Sequence, residues 1–281
     1  MEISSALALR NEWLNEDEDT YRIDGGYNKI IQYLLASCKE NDVDLHLSSA
    51  VKKIEWNKGG AKVYTKDGFR FTASKVLLTV PVTILSKKNK EDGGIEFIPA
   101  LPNYTAAAQQ TGFGTAIKIF LQFSDSFWAK QVKHAGFIIS NQVIPTWWTQ
   151  WPAESKMLTG WLGGPAAKAL RNAEEKIILK LALESLANIF STDADLLQTI
   201  VKSYHIADWS QADFINGAYS YATPATAEAR QILQTPMEET IYFAGEAIYQ
   251  TETPGTVEAA LFSAVKVVEV MSGCHTTEVS K

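Results

Sequence analysis

Apolar and polar positions change period several times along the 281-residue chain, and each change marks an element. In DGGYNKIIQYLLASCKEN a glycine turn opens a run in which Ile30, Ile31, Leu34 and Leu35 fall on one face, which predicts an amphipathic helix. VDLHLSSAVKKIEW reads as strand, and AKVYTKDGFRFTA as a hairpin turning at Asp67-Gly68. KVLLTVP is almost continuously apolar, as expected of a strand covered on both faces, and Pro81 ends its pairing. Beyond the polar linker KKNKEDGGIEFIPALP, TAIKIFLQF alternates as a strand, and AGFIISN, TWWTQWP and KMLTGWLGG predict a meander. Residues 173–190 hold the clearest helix: polar Lys176, Lys180, Glu184 and Asn188 recur every four positions, with Ile177, Leu181, Leu186 and Phe190 apolar. TIVKSYHI follows as a strand, and residues 240–271 read as strand, loop and helix. Residues 1–23 read as a helix and an acidic NEDED loop.

This order predicts an α/β (α+β) fold in two domains. Residues 1–89 and 236–281 share one discontinuous layer, and 90–235 form an inserted mixed-sheet domain with flanking helices. No repeat or low-complexity tract interrupts it.

One string stands out chemically. IYFAGEAIYQTETPGTVEAALFSAVKVVEV runs from an apolar strand into Gly245 and Glu246, through a polar loop to Pro254 and Gly255, and into a helix of small residues. Such a pattern lets backbone approach a flat or phosphorylated ligand closely.

Composition narrows the partners. With 46% hydrophobic and 21% charged residues the chain can bury a sizeable core. A net charge of -6 without a Lys/Arg block argues against nucleic acid. Cys38 and Cys274 lie far apart without a CxxC, which predicts a reduced, cytoplasmic protein without a disulfide framework. The start lacks the basic end and apolar core of a signal peptide. No apolar run reaches the roughly 18 residues of a membrane span. The Asn103-Tyr104-Thr105 sequon therefore reads as accidental. The histidines are scattered, with no zinc motif and no predicted metal. There is no G-x-S-x-G elbow and no P-loop. Gly112 and Gly114 begin a G-x-G, but Ile117 stands at the third glycine position and the segment enters a strand, so no dinucleotide fingerprint is present.

Four pieces together resemble the flavin-containing amine oxidases, the family of monoamine and polyamine oxidases, from about Gly25 to about Val270. The first is SSAVKKIEW followed by VLLTVPVTIL, in which the resemblance implies that Val51 offers its backbone to the adenine of FAD. In the second, GFGTAIKIFLQFSDSFW, Lys118 matches a lysine that holds a water near flavin N5, ahead of Phe127-Trp128. Beside an apolar ring it would be desolvated and would help oxygen react at reduced flavin. The third is DWSQADFINGAYSYATP, where the resemblance implies Trp209 packing near the isoalloxazine and Tyr219 as one wall of an aromatic amine cage. The fourth is FAGEAIYQTETPGTVEAALFSA. Here the resemblance implies Gly245 at the pyrophosphate, Glu246 beside the ribityl chain, and Gly255, Thr256 and Val257 opening the last helix toward the flavin O2/N1 edge. Ala259, Ala260, Ser263 and Ala264 would let that helix pack tightly.

The chain departs from the family pattern in three respects. Thr256 stands where monoamine oxidases carry a second cage tyrosine, so the cage is half formed, which argues against a small aromatic amine as substrate. No cysteine occupies a covalent flavin position, so bound FAD would be noncovalent. Family members also begin with a strand, glycine fingerprint and helix, and the match covers their C-terminal part. The resemblance thus implies a fragment, a split-gene product needing a second polypeptide, or a remnant, and predicts weak or no FAD binding and self-association by the chain alone. Carotenoid desaturases and protoporphyrinogen oxidases share the flavin-binding ends, but Lys118 and the Gly217-to-Tyr219 turn favour the amine branch. A non-catalytic docking module is the third reading. TWWTQWP is assigned to core on the ground that large apolar side chains are usually inside.

Overall fold

The computed structural model describes residues 4–8, 10, 23–87, 93–248 and 255–273. The NEDED loop, most of the KKNKED linker, residues 249–254 and Cys274 lie outside them. Two compact units result: 1–80 with 85–111 and 222–281, and 81–84 with 112–221. The inserted unit is therefore shorter than the 90–235 drawn from sequence. Two helices that the sequence reading missed, at Pro102–Gln110 and Thr226–Gln234, pack on each other within the first unit.

In the first unit, helix α1 (Asn28–Glu40) follows a turn in which Gly25 and Gly26 both take positive φ. Its predicted apolar face forms but buries nothing: none of its residues is buried, and Ile31 is 53% exposed. The strand expected across VDLHLSSAVKKIEW starts only at Val51, after Ser48 with φ +59, and Val43, Leu45 and Leu47 are exposed. Strand β1 (Val51–Asn57) pairs antiparallel with β2 (Gly60–Thr65), which turns through Asp67-Gly68 into β3 (Arg70–Ala73). After β4 (Val76–Leu78) and the short helix α2 (Val82–Leu85), β5 (Glu96–Ile98) adds parallel to β1, giving the order β3-β2-β1-β5. Helix α3 (Pro102–Gln110) starts with proline at its first position, where a missing N–H costs nothing.

The second unit is built on a five-stranded antiparallel sheet. Its strands are β7 (Ala116–Phe123), β8 (Phe137–Ile139), β9 (Thr146–Trp148), β10 (Met157–Gly163) and β11 (Val201–Asp208), in the order β11-β7-β10-β9-β8. The predicted meander is thus present, with β11 returning to its far edge. Short β6 (Gly112–Phe113) precedes β7. Helices α4 (Gly164–Ala169), α5 (Glu175–Phe190) and α6 (Ala194–Ile200) lie between β10 and β11. One sheet face and α5 enclose the core: Ile117, Ile119, Leu121, Trp147, Leu158, Leu183 and Leu186 are fully or almost fully buried. The apolar face of α5 is rotated from the predicted one. Ile178, Leu179, Ala182 and Leu183 are buried and Ile177 is exposed, because alternating pairs of apolar residues admit two faces and the sheet selects one. Of TWWTQWP, Trp147 is core, its Nε1–H donating to the Ile144 carbonyl at 3.1 Å, while Trp151 is exposed.

The chain leaves this unit through β12 (Ser220–Tyr221), paired with β6, and completes the first unit with α7 (Thr226–Gln234), β13 (Ile241–Phe243) and α8 (Val257–Ser272). Strand β13 pairs parallel with β4, Ile241 opposite Val76. Tyr104 on α3 stacks on Phe243 with ring centroids 5.1 Å apart and donates to the Thr235 carbonyl at 2.7 Å. Its burial pushes the phenol above its ordinary value of 10.0.

Candidate functional site

The singled-out residues fall into two groups, one in each unit. In the first unit β13 ends in Ala244 and Gly245. Gly245 has φ +150, a Cβ there would meet nothing within 4 Å, and open space therefore lies beside its backbone. Its N–H donates to Ser263 Oγ of α8 at 3.0 Å. The turn that follows is held from α7: Arg230 Nε–H donates to the Ala247 carbonyl at 3.0 Å, and Gln234 Nε2–H to the Ile248 carbonyl at 2.6 Å. Arg230 is buried, and its Nη2 has no partner among the described residues. Desolvation pushes its guanidinium down from the ordinary value, and the charge of Glu246 opposes this. Glu246 thus sits on a turn held by a buried guanidinium. Sequence reading missed Arg230 and Gln234, which sit on a helix it did not predict.

Helix α8 begins as expected. Gly255 takes φ +79, and Thr256 Oγ1 caps the helix by accepting from the Ala259 N–H at 3.1 Å. The next N–H groups, at Val257 and Glu258, belong to the first turn, where no intrahelical acceptor exists. Ala259 and Ser263 are buried, consistent with small residues admitting close packing on β13. Val51 opens β1 and is half-buried.

In the second unit Lys118 lies on β7 among buried Ile117 and Ile119, on the opposite sheet face and exposed. Its cross-strand neighbours are Trp161 of β10 and Ala207 of β11, with Thr146 of β9 beyond Trp161. The next row of this face holds Phe120 stacked with His205, centroids 6.1 Å apart. Trp161, Phe120 and His205 were missed; the alternation of three adjacent strands predicts them once register is known.

Trp209 and Tyr219 bracket a loop in which Phe214 and Asn216 both take positive φ, a strained conformation for non-glycine residues. The loop is fixed by backbone. Gly217 N–H donates to the Trp209 carbonyl at 3.3 Å, Ala218 N–H to the Gly114 carbonyl at 2.9 Å, and Gly114 N–H to the Tyr219 carbonyl at 2.8 Å. Thr83 Oγ1 of α2 donates to the Ile215 carbonyl at 2.6 Å, and Arg171 Nη2 to the Ser210 carbonyl at 2.9 Å. A Cβ on Gly217 would lie 2.3 Å from the Phe113 ring, and one on Gly112 2.5 Å from Tyr221. These close approaches require glycine. Trp209 and Tyr219 remain 54% and 42% exposed, and Tyr219 is joined to Gly114 four residues before Lys118.

Among the described residues no group of His, Cys, Asp or Glu side chains forms a metal site, and no helix is long and apolar enough to cross a membrane.

The flavin containing amine oxidoreductase family model matches residues 1–272. The chain therefore belongs to that family, whose cofactor is FAD. Mouse "Lysine-specific histone demethylase 1B" is 30% identical over 249 residues, 86% of this chain and 28% of that protein. Human "Peroxisomal N(1)-acetyl-spermine/spermidine oxidase" is 26% identical over 80% of this chain and 50% of its own length. Among solved structures, a putrescine oxidase with a redesigned cofactor site superposes with a TM-score of 0.73 at 21% identity, over 89% of this chain and 53% of that one. Cyclohexylamine oxidase from Brevibacterium oxydans gives 0.72 at 18%, over 88% and 52%. The chain thus spans half or less of the length of these curated relatives. The open backbone at Gly245 and the glycine-led start of α8 fit close approach of the cofactor.

Proposed function

We propose that this chain forms the substrate-facing part, and one side of the cofactor site, of an FAD-dependent amine oxidase. The observation that carries the reading is the backbone clamp on Tyr219, whose carbonyl accepts from Gly114 just ahead of the strand bearing exposed Lys118. It holds an aromatic side chain and an ammonium group on elements that cannot drift independently. Bound FAD supplies the two-electron acceptor for hydride loss from the carbon beside the amine nitrogen, with dioxygen ending as hydrogen peroxide. Tyr219 is a wall that orients the neutral amine and excludes water. Trp209 flanks the ring. Lys118 orders a water and favours oxygen reduction through its charge. Gly245 would admit the phosphate-bearing part of FAD, Glu246 would accept from ribityl hydroxyls, and Val51 would meet the adenine side. Gly255, Thr256 and Val257 present helix N–H groups where negative charge gathers. Binding is noncovalent.

The substrate is an alkylamine. Thr256 in place of a second aromatic wall supports this, and so do the lysine and spermine/spermidine of the relatives' names. Activity requires the strand–glycine-turn–helix segment that the resemblance implies, whether in the same polypeptide or in a partner. The test is a visible spectrum of the purified chain with FAD, before and after desalting, then peroxide release with diamines and polyamines once that segment is supplied. A complete protein that holds flavin yet releases no peroxide with any alkylamine sinks the amine assignment.

A further inference from the structure

The second unit holds a cleft of about 720 Å³, a size suited to a small molecule. It opens at the C-terminal end of β7, where Gln122 lines it, roughly 13 Å along the strand from Lys118. Buried Trp128 contributes to its lining, with Ala129, Val132 and Ala153. One side of the cleft is an aromatic pair. His134 and Trp151 stack with ring centroids 4.2 Å apart and planes 20° from parallel, and Trp151 is 43% exposed. The loops that carry the pair are tied together. Thr149 N–H donates to the Gly136 carbonyl at 3.0 Å, Thr149 Oγ1 to the Ala135 carbonyl at 2.5 Å, and Trp151 N–H to Thr149 Oγ1 at 3.1 Å. His134 itself takes φ +64, a strained conformation that the surrounding bonds must hold.

The charge of the cleft runs against that of the chain. Net charge is -6 overall, yet Lys133 and Lys156 line the cleft against a single carboxylate, Glu154. Lys156 Nζ donates to the Ser124 carbonyl at 2.9 Å, which fixes its ammonium while two N–H groups stay free to donate. Lys133 is exposed and has no ion-pair partner among the described residues. A flat, preorganised aromatic surface favours a planar ligand, and the surplus of ammonium groups favours an anion. A cationic ring could stack on Trp151 as well, but it would meet two like charges. From the stacked pair and the two lysines we propose that this cleft binds a small planar aromatic anion. Its ring lies on the exposed side of the His134–Trp151 pair, and Lys133 and Lys156 hold its carboxylate or phosphate. The site is separate from the amine site and does not depend on flavin.

The test titrates the full chain, without flavin, with benzoate, phenyl phosphate, neutral benzamide and cationic benzylamine. Calorimetry reads affinity, and amide chemical shifts at 132–135 and 149–156 read location. The better of the two anions is expected to bind about tenfold or more tightly than benzamide and to move those amides. A stronger response to benzoate assigns a carboxylate ligand, and a stronger response to phenyl phosphate a phosphate ligand. Trp151→Ala should weaken the anion about tenfold, and Lys133→Met should remove the preference over benzamide. Both residues are exposed, so an unchanged melting temperature confirms that each variant is folded. Benzamide or benzylamine binding as tightly as the anions overturns the site. So does anion binding that both variants leave unchanged, or that moves only amides elsewhere. Failure of both anions to bind at millimolar concentration overturns it too.

Discussion

The two units spend the same kinds of residue in opposite ways. In the second, α5 and the sheet bury Trp147, Leu158, Leu183 and Leu186 against one another and leave Lys118, Trp161 and Phe120 on the far face. In the first, α1 and α8 are amphipathic or apolar by sequence but leave Ile31, Leu34, Leu261 and Val265 exposed. An apolar stripe therefore reports what a helix is built to touch, not what it touches within this chain. Both units bury a core, with Ile54, Leu78, Leu233 and Ile241 inside the first, but only the first also keeps helices whose apolar side chains stay largely exposed.

The contrast is broken most directly by truncation. Trp147→Ala removes a fully buried ring and its hydrogen bond, and urea unfolding of the second unit is expected to lose about 3–5 kcal/mol. Leu34→Ala on α1 is expected to stay within about 0.5 kcal/mol. Equal losses would mean that α1 is packed in solution. Gly217→Ala is the next largest, about 1–3 kcal/mol, since its methyl group cannot coexist with the Phe113 ring. Its amide exchange at Ala218 and Tyr219 should quicken as the clamp opens; an unaltered exchange pattern counts against the clamp. Lys118→Met sharpens the division between core and working face. Stability should be preserved, while reoxidation of bound flavin slows by about tenfold or more, measured by stopped flow. Wild-type reoxidation would remove Lys118 from its proposed role.

The smallest effect concerns pH. Glu55 accepts from Lys53 at 2.6 Å and from Tyr64 at 2.7 Å, and the Lys53 bond foremost holds its carboxyl below the ordinary 4.5. A depressed carboxylate stabilises the fold above its unfolded value, and that contribution is lost as pH falls through the folded one. Glu55→Gln should therefore lower the first unit's stability slightly at neutral pH and flatten its acid limb, the two proteins converging as pH falls. A steeper acid limb in the variant would reverse the sign.

Much of the second unit was legible because strict alternation in TAIKIFLQF and KMLTGWLGG fixes which side chains share a face. The order of strands was not legible, since β11 joins β7 across eighty residues and only tertiary pairing reveals it. Helices α3 and α7 were missed because PNYTAAAQQ and TAEARQILQ carry few large apolar residues; they are held by each other and by Tyr104. The rotation of α5 has the same origin, as its sequence permits two faces and the sheet chooses. At the candidate site Gly245, Gly255 and Thr256 could be read because turn and cap chemistry is local. Arg230, Trp161 and His205 could not, because each acquires its neighbours from another element.

The glycines around Tyr219 also bear on how this protein can change. Gly112 and Gly217 leave no room for side chains, so the backbone behind Tyr219 cannot be reshaped by gradual substitution at those two positions. Variation there must fall on Tyr219 itself, or on the sheet-face residues Trp161, Phe120 and Ala207. A library seeking new amines should accordingly randomise those four positions and hold Gly112 and Gly217 fixed.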